Sequence, residues 1–202
     1  AASDVYKRQI LESSFWGLTG KALEKNIAKL RLIDLKEFSN NDYGSIDDAP
    51  YGGGEGMVIG VEPLEKSLKN IKKPGHVICL TPQGKVFNQI KAVDLSKFKD
   101  LTFVCGRYEG IDQRFIDDYV NEEISIGDFV LSGGEYAALC LIDAISRHIP
   151  GTLGNQDSYK KDTFSDGLLK GGVYTKPEIF EEMSVPKELL SGNHQEIEEW
   201  KK

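Results

Sequence analysis

Three short glycine-bearing stretches hold the residues best suited to gripping a small ligand: TPQGK (81–85), CGRYEGID (105–112) and SIGDFVLSGGE (125–135). Gly133 and Gly134 have no Cβ, so the backbone there can take φ > 0 or admit another group at close range. A strand-like apolar run that ends in this pair and passes straight into a helix marks a place where something lies against the turn. None of the three is the GxGxxG pyrophosphate turn or the GxxxxGK[ST] phosphate loop. PYGGGEGM (50–57) comes near the first, but it follows no strand pattern and opens no immediate helix, so a dinucleotide site lacks its context. His76, His148 and His194 show no HExxH spacing. Cys79, Cys105 and Cys140 lie in apolar runs and read as reduced core residues rather than a zinc site or a disulfide frame.

Charged residues outside those loops have ordinary readings by spacing alone. Arg147 in ISRHIPG reads as a helix-surface ion pair with Asp143 four residues earlier. Asp162 in KKDTFSDG reads as a solvated loop acid. Asp47 and Asp48 in DDAPYGGG read as turn-shaping residues. Lysines at 21, 25, 29, 160 and 161 are candidates for phosphate contact against a default of a solvated face.

These residues need a scaffold, and the pattern supplies one. HVICL (76–80) and LTFVC (101–105) are short apolar runs rich in strand formers, and YVNEEISIGDFVL gives a third such region. GGEYAALCLIDAISRH reads as a long helix ended by Pro150 and Gly151, and EPLEKSLKNIKK as a helix with Pro63 at a tolerated early position. TGKALEKNIAKL (19–30) predicts an amphipathic helix after a Thr19 cap, with LRLIDL following as a short strand. Buried strands alternating with helices indicate an α/β fold with a largely parallel sheet. The three glycine loops then leave the carboxyl ends of strands, the edge of such a sheet where ligands bind.

The 202 residues, 40% of them hydrophobic, can bury one good core and support a small second unit. A polar stretch at 152–172 reads as a linker or mobile loop, and KPEIFEEM with PKELLSGNHQEIEEW as a small helical unit. The opening AASDVYKRQ (1–9) reads as a non-native segment and the final helix as incomplete. The expected division is 10–156, an α/β ligand-binding domain, 157–172, a linker, and 173–202, the start of a helical domain. A net charge of −7 argues against a polyanion partner unless a local basic face exists. With no run of about 18 apolar residues and no signal-peptide pattern, the expected setting is the cytoplasm, without a membrane partner.

DDAPYGGGEGMV, TPQGK, CGRYEGID, SIGDFVLSGGE, ISRHIPG, DTFSDGLL, YTKPEIF, VP and LLSGNHQEIEEWK, in this order and spacing, resemble the bacterial tRNA (guanine-37-N1)-methyltransferases, the TrmD family. The resemblance runs from about residue 18 to the end. AASDVYKRQ does not match the family's first strand, and members continue past residue 202. The resemblance implies a SPOUT-class α/β domain with a deep trefoil knot, a rare exception to unknotted topology, followed by a small helical domain. It implies a homodimer acting on tRNA with G at position 37, and no DNA partner.

By the same resemblance, S-adenosylmethionine would be held by Leu80, Thr81 and Pro82, by Gly106, Tyr108, Glu109 and Gly110, and by Ile126, Gly127, Leu131, Gly133 and Gly134. Members often have Ser where Thr81 stands and Tyr where Phe129 stands. Asp162 matches the family's general base, acting on a base held by the other subunit, and Arg147 its catalytic arginine. Asp47 and Asp48 match residues near the target and its 5′ guanine neighbour. A magnesium dependence is associated with the family, with no ligand cluster in this sequence to place it. Two other readings are a catalytically disabled RNA-binding relative of the same fold and an oxidoreductase with a dinucleotide site.

Overall fold

The computed structural model describes residues 17–40, 43–107, 109–152 and 171–201. It divides into two compact units, Ala1–Gly154 and Asn155–Lys202. The described part of the first opens with helix α1 (Gly17–Glu24), a 3-10 turn (Leu35–Phe38) and a short antiparallel ladder of β1 (Asp47–Asp48) and β2 (Val58–Ile59). It continues as α2 (Val61–Lys69), β3 (His76–Val86), α3 (Gln89–Leu95), β4 (Leu101–Cys105), α4 (Gln113–Tyr119), β5 (Glu122–Ser125) and α5 (Glu135–Ser146).

The strands form a parallel sheet in the order β4-β3-β5. The central strand explains why HVICL is a continuous apolar run: it is covered on both faces. Ile78 and Leu80 join Ile124 of β5, Ala92 and Leu95 of α3, and Leu141 and Ile145 of α5 in one core. Val77, on the opposite face, joins Val104, Leu64 and Leu68 of α2, Phe115 of α4 and Ile59 in the other. Side chains alternate across a strand with period two, so one strand serves both cores. Asn88 and Asp112 start α3 and α4, each accepting a hydrogen bond from a backbone amide two or three residues on.

Strand β3 does not stop where its apolar run does. Leu80 lies opposite Ile124, the chain makes an excursion through residues 81–84, and Lys85 comes back opposite Ile124, with Val86 opposite Ser125. The return passes through Gly84, where a Cβ would lie 2.4 Å from the Ile124 nitrogen and 2.5 Å from the Glu123 carbonyl carbon. The expected TPQGK loop is therefore an excursion held within a strand.

Three local expectations differ from the structure. Helix α1 ends at Glu24 rather than near residue 30, because Asn26 takes φ 55° and the amides of Ile27 and Ala28 turn back to the Ala22 carbonyl. Thr19 sits inside that helix, buried, where its hydroxyl reaches Asp143 and Ser146 at 3.0 Å instead of capping. LRLIDL is not a strand: no strand among the described residues pairs with it, and Asp34 caps the 3-10 turn.

The second unit contains a two-residue hairpin, β6 (Ile179–Phe180) with β7 (Met183–Ser184), followed by α6 (Lys187–Leu190) and α7 (His194–Trp200). KPEIFEEM reads as helix in the sequence but is the hairpin. Glu181 adopts φ 55°, which a helix forbids, and Pro186 biases the chain ahead of it to extended backbone. Tyr174 packs edge-on against Trp200, ring centroids 5.8 Å apart, anchoring α7.

Candidate active site

Because β3, β4 and β5 are parallel and in register, Leu80, Cys105 and Ile124 stand side by side near their carboxyl ends. The segments that follow, Thr81–Pro82, Gly106–Gly110 and Ile126–Gly127, leave from that one edge. Gly133 and Gly134 then return the chain to it. The Gly134 amide donates to the Gly106 carbonyl at 3.0 Å, and a Cβ on Gly134 would lie 2.9 Å from Cys105 Cα. What lies against the SGGE turn is thus the end of β4. Ser125 and Gly127 shape the neighbouring loop: the Ser125 hydroxyl donates to the Gly127 carbonyl (3.0 Å) and lies 3.1 Å from its amide.

An ion pair, not singled out in the sequence, ties two of these loops together. Arg107 Nη2 and Nε donate to Glu135 Oε1 at 2.6 and 2.9 Å, and Glu135 Oε2 is buried with no hydrogen-bond partner among the described residues. The signal was available as two charges inside the glycine loops CGRYEG and SGGE, where an uncompensated buried charge would be costly.

The thiols at this edge are held protonated. Burial first, then the nearby Glu123 carboxylate, pushes Cys79 up to about 12. Burial, then Glu135, does the same to Cys105.

A second loop is stitched onto the edge. Glu109 donates its amide to the Met57 carbonyl, Ile59 its amide to Gly110, and Asp112 its amide to Ile59, each at 3.0 Å. Ile59 and Ile111 form a parallel bridge. Gly56, at φ 87°, lets the Glu109 side chain fold against it, since a Cβ there would lie 2.5 Å from Glu109 Cγ. The DDAPYGGGEG loop with Asp47 and Asp48 therefore borders the same edge. Asp47 Oδ1 accepts from the Ser45 hydroxyl at 3.4 Å and Asp48 Oδ1 from the Ala49 amide at 2.7 Å. Each carboxylate shapes its turn with one oxygen and keeps its second without a hydrogen bond among the described residues.

Arg147 is elsewhere. It caps the far end of α5, with its amide on the Asp143 carbonyl. Twelve helical residues separate it from the Gly134 turn, about 18 Å at 1.5 Å per residue. Asp143 Oδ1 accepts the Thr19 hydroxyl, and His148 Nε2 meets Gln89 Nε2 at 3.0 Å, so α5 ends in a pinned segment. The structure thus brings together Leu80, Thr81, Pro82, Gly106, Glu109, Gly110, Ile126, Gly127, Gly133 and Gly134, with Asp47 and Asp48 alongside. Leu131, 38% exposed, lies on the connecting loop. Tyr108, Asp162, Lys160 and Lys161 lie outside the described residues. Among the described residues no group of three or more His, Cys, Asp or Glu could hold a metal ion, and no helix is long and apolar enough to cross a membrane.

Comparison with known proteins bears on what this edge serves. Residues 5–202 match the family model described as tRNA (Guanine-1)-methyltransferase TrmD. The chain belongs to this family of methyltransferase enzymes. Relatives carrying the name tRNA (guanine-N(1)-)-methyltransferase include one from Buchnera aphidicola subsp. Schizaphis graminum, 51% identical over 92% of the chain and 72% of the relative. One from Protochlamydia amoebophila is 48% identical over 90% and 82%, and one from Ralstonia nicotianae 46% identical over 93% and 73%. The enzyme's mixed α/β fold with a parallel sheet is consistent with a methyltransferase fold.

Proposed function

We propose that the enzyme transfers the methyl group of S-adenosylmethionine to N1 of guanine 37 in the anticodon loop of tRNA carrying G at 36 and 37. The observation that carries this reading is the convergence of three glycine-bearing loops on one sheet edge, with Gly134 closed against Cys105, in a chain whose relatives are named for guanine-N1 methylation of tRNA. The edge suits the methyl donor. Leu80, Ile126 and Leu131 supply apolar surface for its adenosine, and Glu135 Oε2 is a buried acceptor without a partner among the described residues.

When bound, S-adenosylmethionine supplies an electrophilic methyl group on a sulfonium. Guanine N1 must lose its proton as the N1–C bond forms and the C–S bond breaks. The Asp162 carboxylate takes that proton as general base. Arg147 stabilises the negative charge that develops toward O6. Asp47 and Asp48 accept from the amino group of the target or from the N1–H and amino group of its 5′ neighbour, which selects guanine.

Arg147 stands about a helix length from the Gly134 turn of its own chain, so one chain does not bring both to the same base. A homodimer in which one subunit holds the donor and the other presents Arg147 and Asp162 resolves this. The reading places the α/β domain at 10–156 in the SPOUT class with its trefoil knot, a linker at 157–172 and the tRNA-binding helical unit from 173, acting in the cytoplasm. The return of β3 against β5 after Thr81–Gly84 supports this reading, since it brings two backbones into the close approach a knot requires.

The test is nucleoside analysis of unmodified tRNA after incubation with enzyme and donor. 1-Methylguanosine at position 37 is expected. Its rate should fall by about 10²–10⁴ in Asp162→Asn, as for loss of a general base, and by about 10²–10³ in Arg147→Ala. Methylation elsewhere, or full rates in both variants, would overturn the assignment.

A further inference from the structure

The loop that carries Asp47 and Asp48 also carries an aromatic ring that none of the described residues of the first unit covers. Tyr51 is fully exposed, at 102% of its reference surface. It is followed by Gly52 and Gly53 at φ 88° and 80°, and a Cβ on either would find no atom within 4 Å. The glycines leave the ring standing alone, because the left-handed backbone needs no side chain to fill it and no neighbour packs from behind.

Its surroundings are specific. The loop's other end is bound to the donor edge through Met57–Glu109 and Ile59–Gly110, and Arg114 at the start of α4 lies within electrostatic reach of the Tyr51 phenol. On the same loop Asp47 and Asp48 each keep an oxygen without a hydrogen bond among the described residues. A free π face beside unpaired acceptors is the equipment for holding an unstacked nucleobase: stacking gives affinity, and the acceptors read the edge.

We propose that Tyr51 stacks on a splayed anticodon-loop base adjoining the target guanine and so positions the RNA strand against the donor edge. This rests on the proposed tRNA substrate. Stacking fits the chain's charge as well. With a net charge of −7, an uncharged contact adds affinity that salt does not screen, unlike a lysine on a phosphate.

The experiment measures equilibrium binding of unmodified tRNA to wild-type enzyme and to Tyr51→Phe, Tyr51→Leu and Tyr51→Ala over a range of salt concentrations, with methylation kinetics in parallel. Phe should bind as wild type. Leu and Ala should weaken binding about 5- to 100-fold, the worth of one aromatic–base stack. Plots of log affinity against log salt should stay parallel to wild type, because no phosphate contact is lost. Donor affinity and the thermal midpoint should not move, since the ring packs on nothing. Wild-type affinity in the Leu variant, or a changed salt slope, would overturn the stacking role while leaving the methyltransferase reading intact. Failure of the wild-type protein to bind or methylate tRNA would overturn both.

Discussion

Arg107 and Glu135 join two loops of the sheet's carboxyl edge across 28 residues of sequence, with both Nε and Nη2 on the same carboxylate oxygen at 2.9 and 2.6 Å. The pair is only partly exposed, so it is screened less than a surface pair. It closes the CGRYEG loop onto the start of α5 and fixes where Gly133 and Gly134 sit. Arg107→Ala and Glu135→Ala should each raise the donor dissociation constant about tenfold. A double-mutant cycle measured by calorimetry should give a coupling of roughly 1–3 kcal/mol, the range for residues sharing one ion pair. Additive losses would mean the two act separately.

Close approach makes a second expectation position-specific. Gly134→Ala puts a methyl 2.9 Å from Cys105 Cα, and Gly84→Ala puts one 2.4 Å from the Ile124 nitrogen. In both cases backbone must move, and a loss of about 1–3 kcal/mol is expected, as for other overpacking changes. Gly106→Ala meets only Ile111 at 3.5 Å, an ordinary contact, and should unfold in denaturant within about 0.5 kcal/mol of wild type. Equal stabilities for all three would contradict this description of the sheet edge.

At the opposite end of the sheet, Glu122 on β5 accepts from Lys91 Nζ and bonds His76 Nε2, each at 2.8 Å, while His76 stacks on Phe98. Burial raises the carboxyl's pKa most, but the hydrogen bonds from Lys91 and then His76, with the charges of both, together outweigh it, and the net effect is a value below its ordinary 4.5. A carboxylate depressed on folding contributes stability that is complete above its unfolded value and is lost as pH falls through the folded one. Denaturation midpoints should therefore drop as pH falls below about 4.5, and Glu122→Gln should flatten that part of the profile. An unchanged acid slope in the variant would show that the group does not contribute.

Placing Arg147 at the far end of α5 makes a subunit-mixing prediction. Arg147→Ala and Gly106→Val, each inactive alone, should regain about a quarter of wild-type activity when unfolded and refolded together, because random pairing leaves one complete pocket in each mixed dimer. No recovery in a preparation shown to contain mixed dimers would place Arg147 in the pocket of its own chain.

The parallel sheet was legible because HVICL and LTFVC are short apolar runs, and the loop edge because a glycine-containing loop follows each of them. The SGGE turn also declared itself: two adjacent glycines between a strand and a helix predict a close approach, and Cys105 supplies it. What could not be read were features set by distant partners. Nothing near Thr81 announces that β3 will leave and rejoin β5, since the register depends on a strand almost forty residues later. The fate of Thr19 was decided by Asp143 and Ser146, more than a hundred residues away. In the second unit, helical spacing in KPEIFEEM was overridden by the backbone at Glu181, where local propensity is a weak guide. Among site residues, the loop glycines were readable from conformational need, whereas Arg107 and Glu135 matter as a pair that only folding brings together.

The central claim is methyl transfer to N1 of guanine 37, and it is tested most directly by counting label. The purified protein is incubated with methyl-labelled S-adenosylmethionine and two tRNA transcripts, one with guanines at 36 and 37 and one with position 37 changed to adenine. Label in the first transcript alone, recovered as 1-methylguanosine, is the expected result. Equal label in both, or none in either with protein shown to be folded and dimeric, would contradict it.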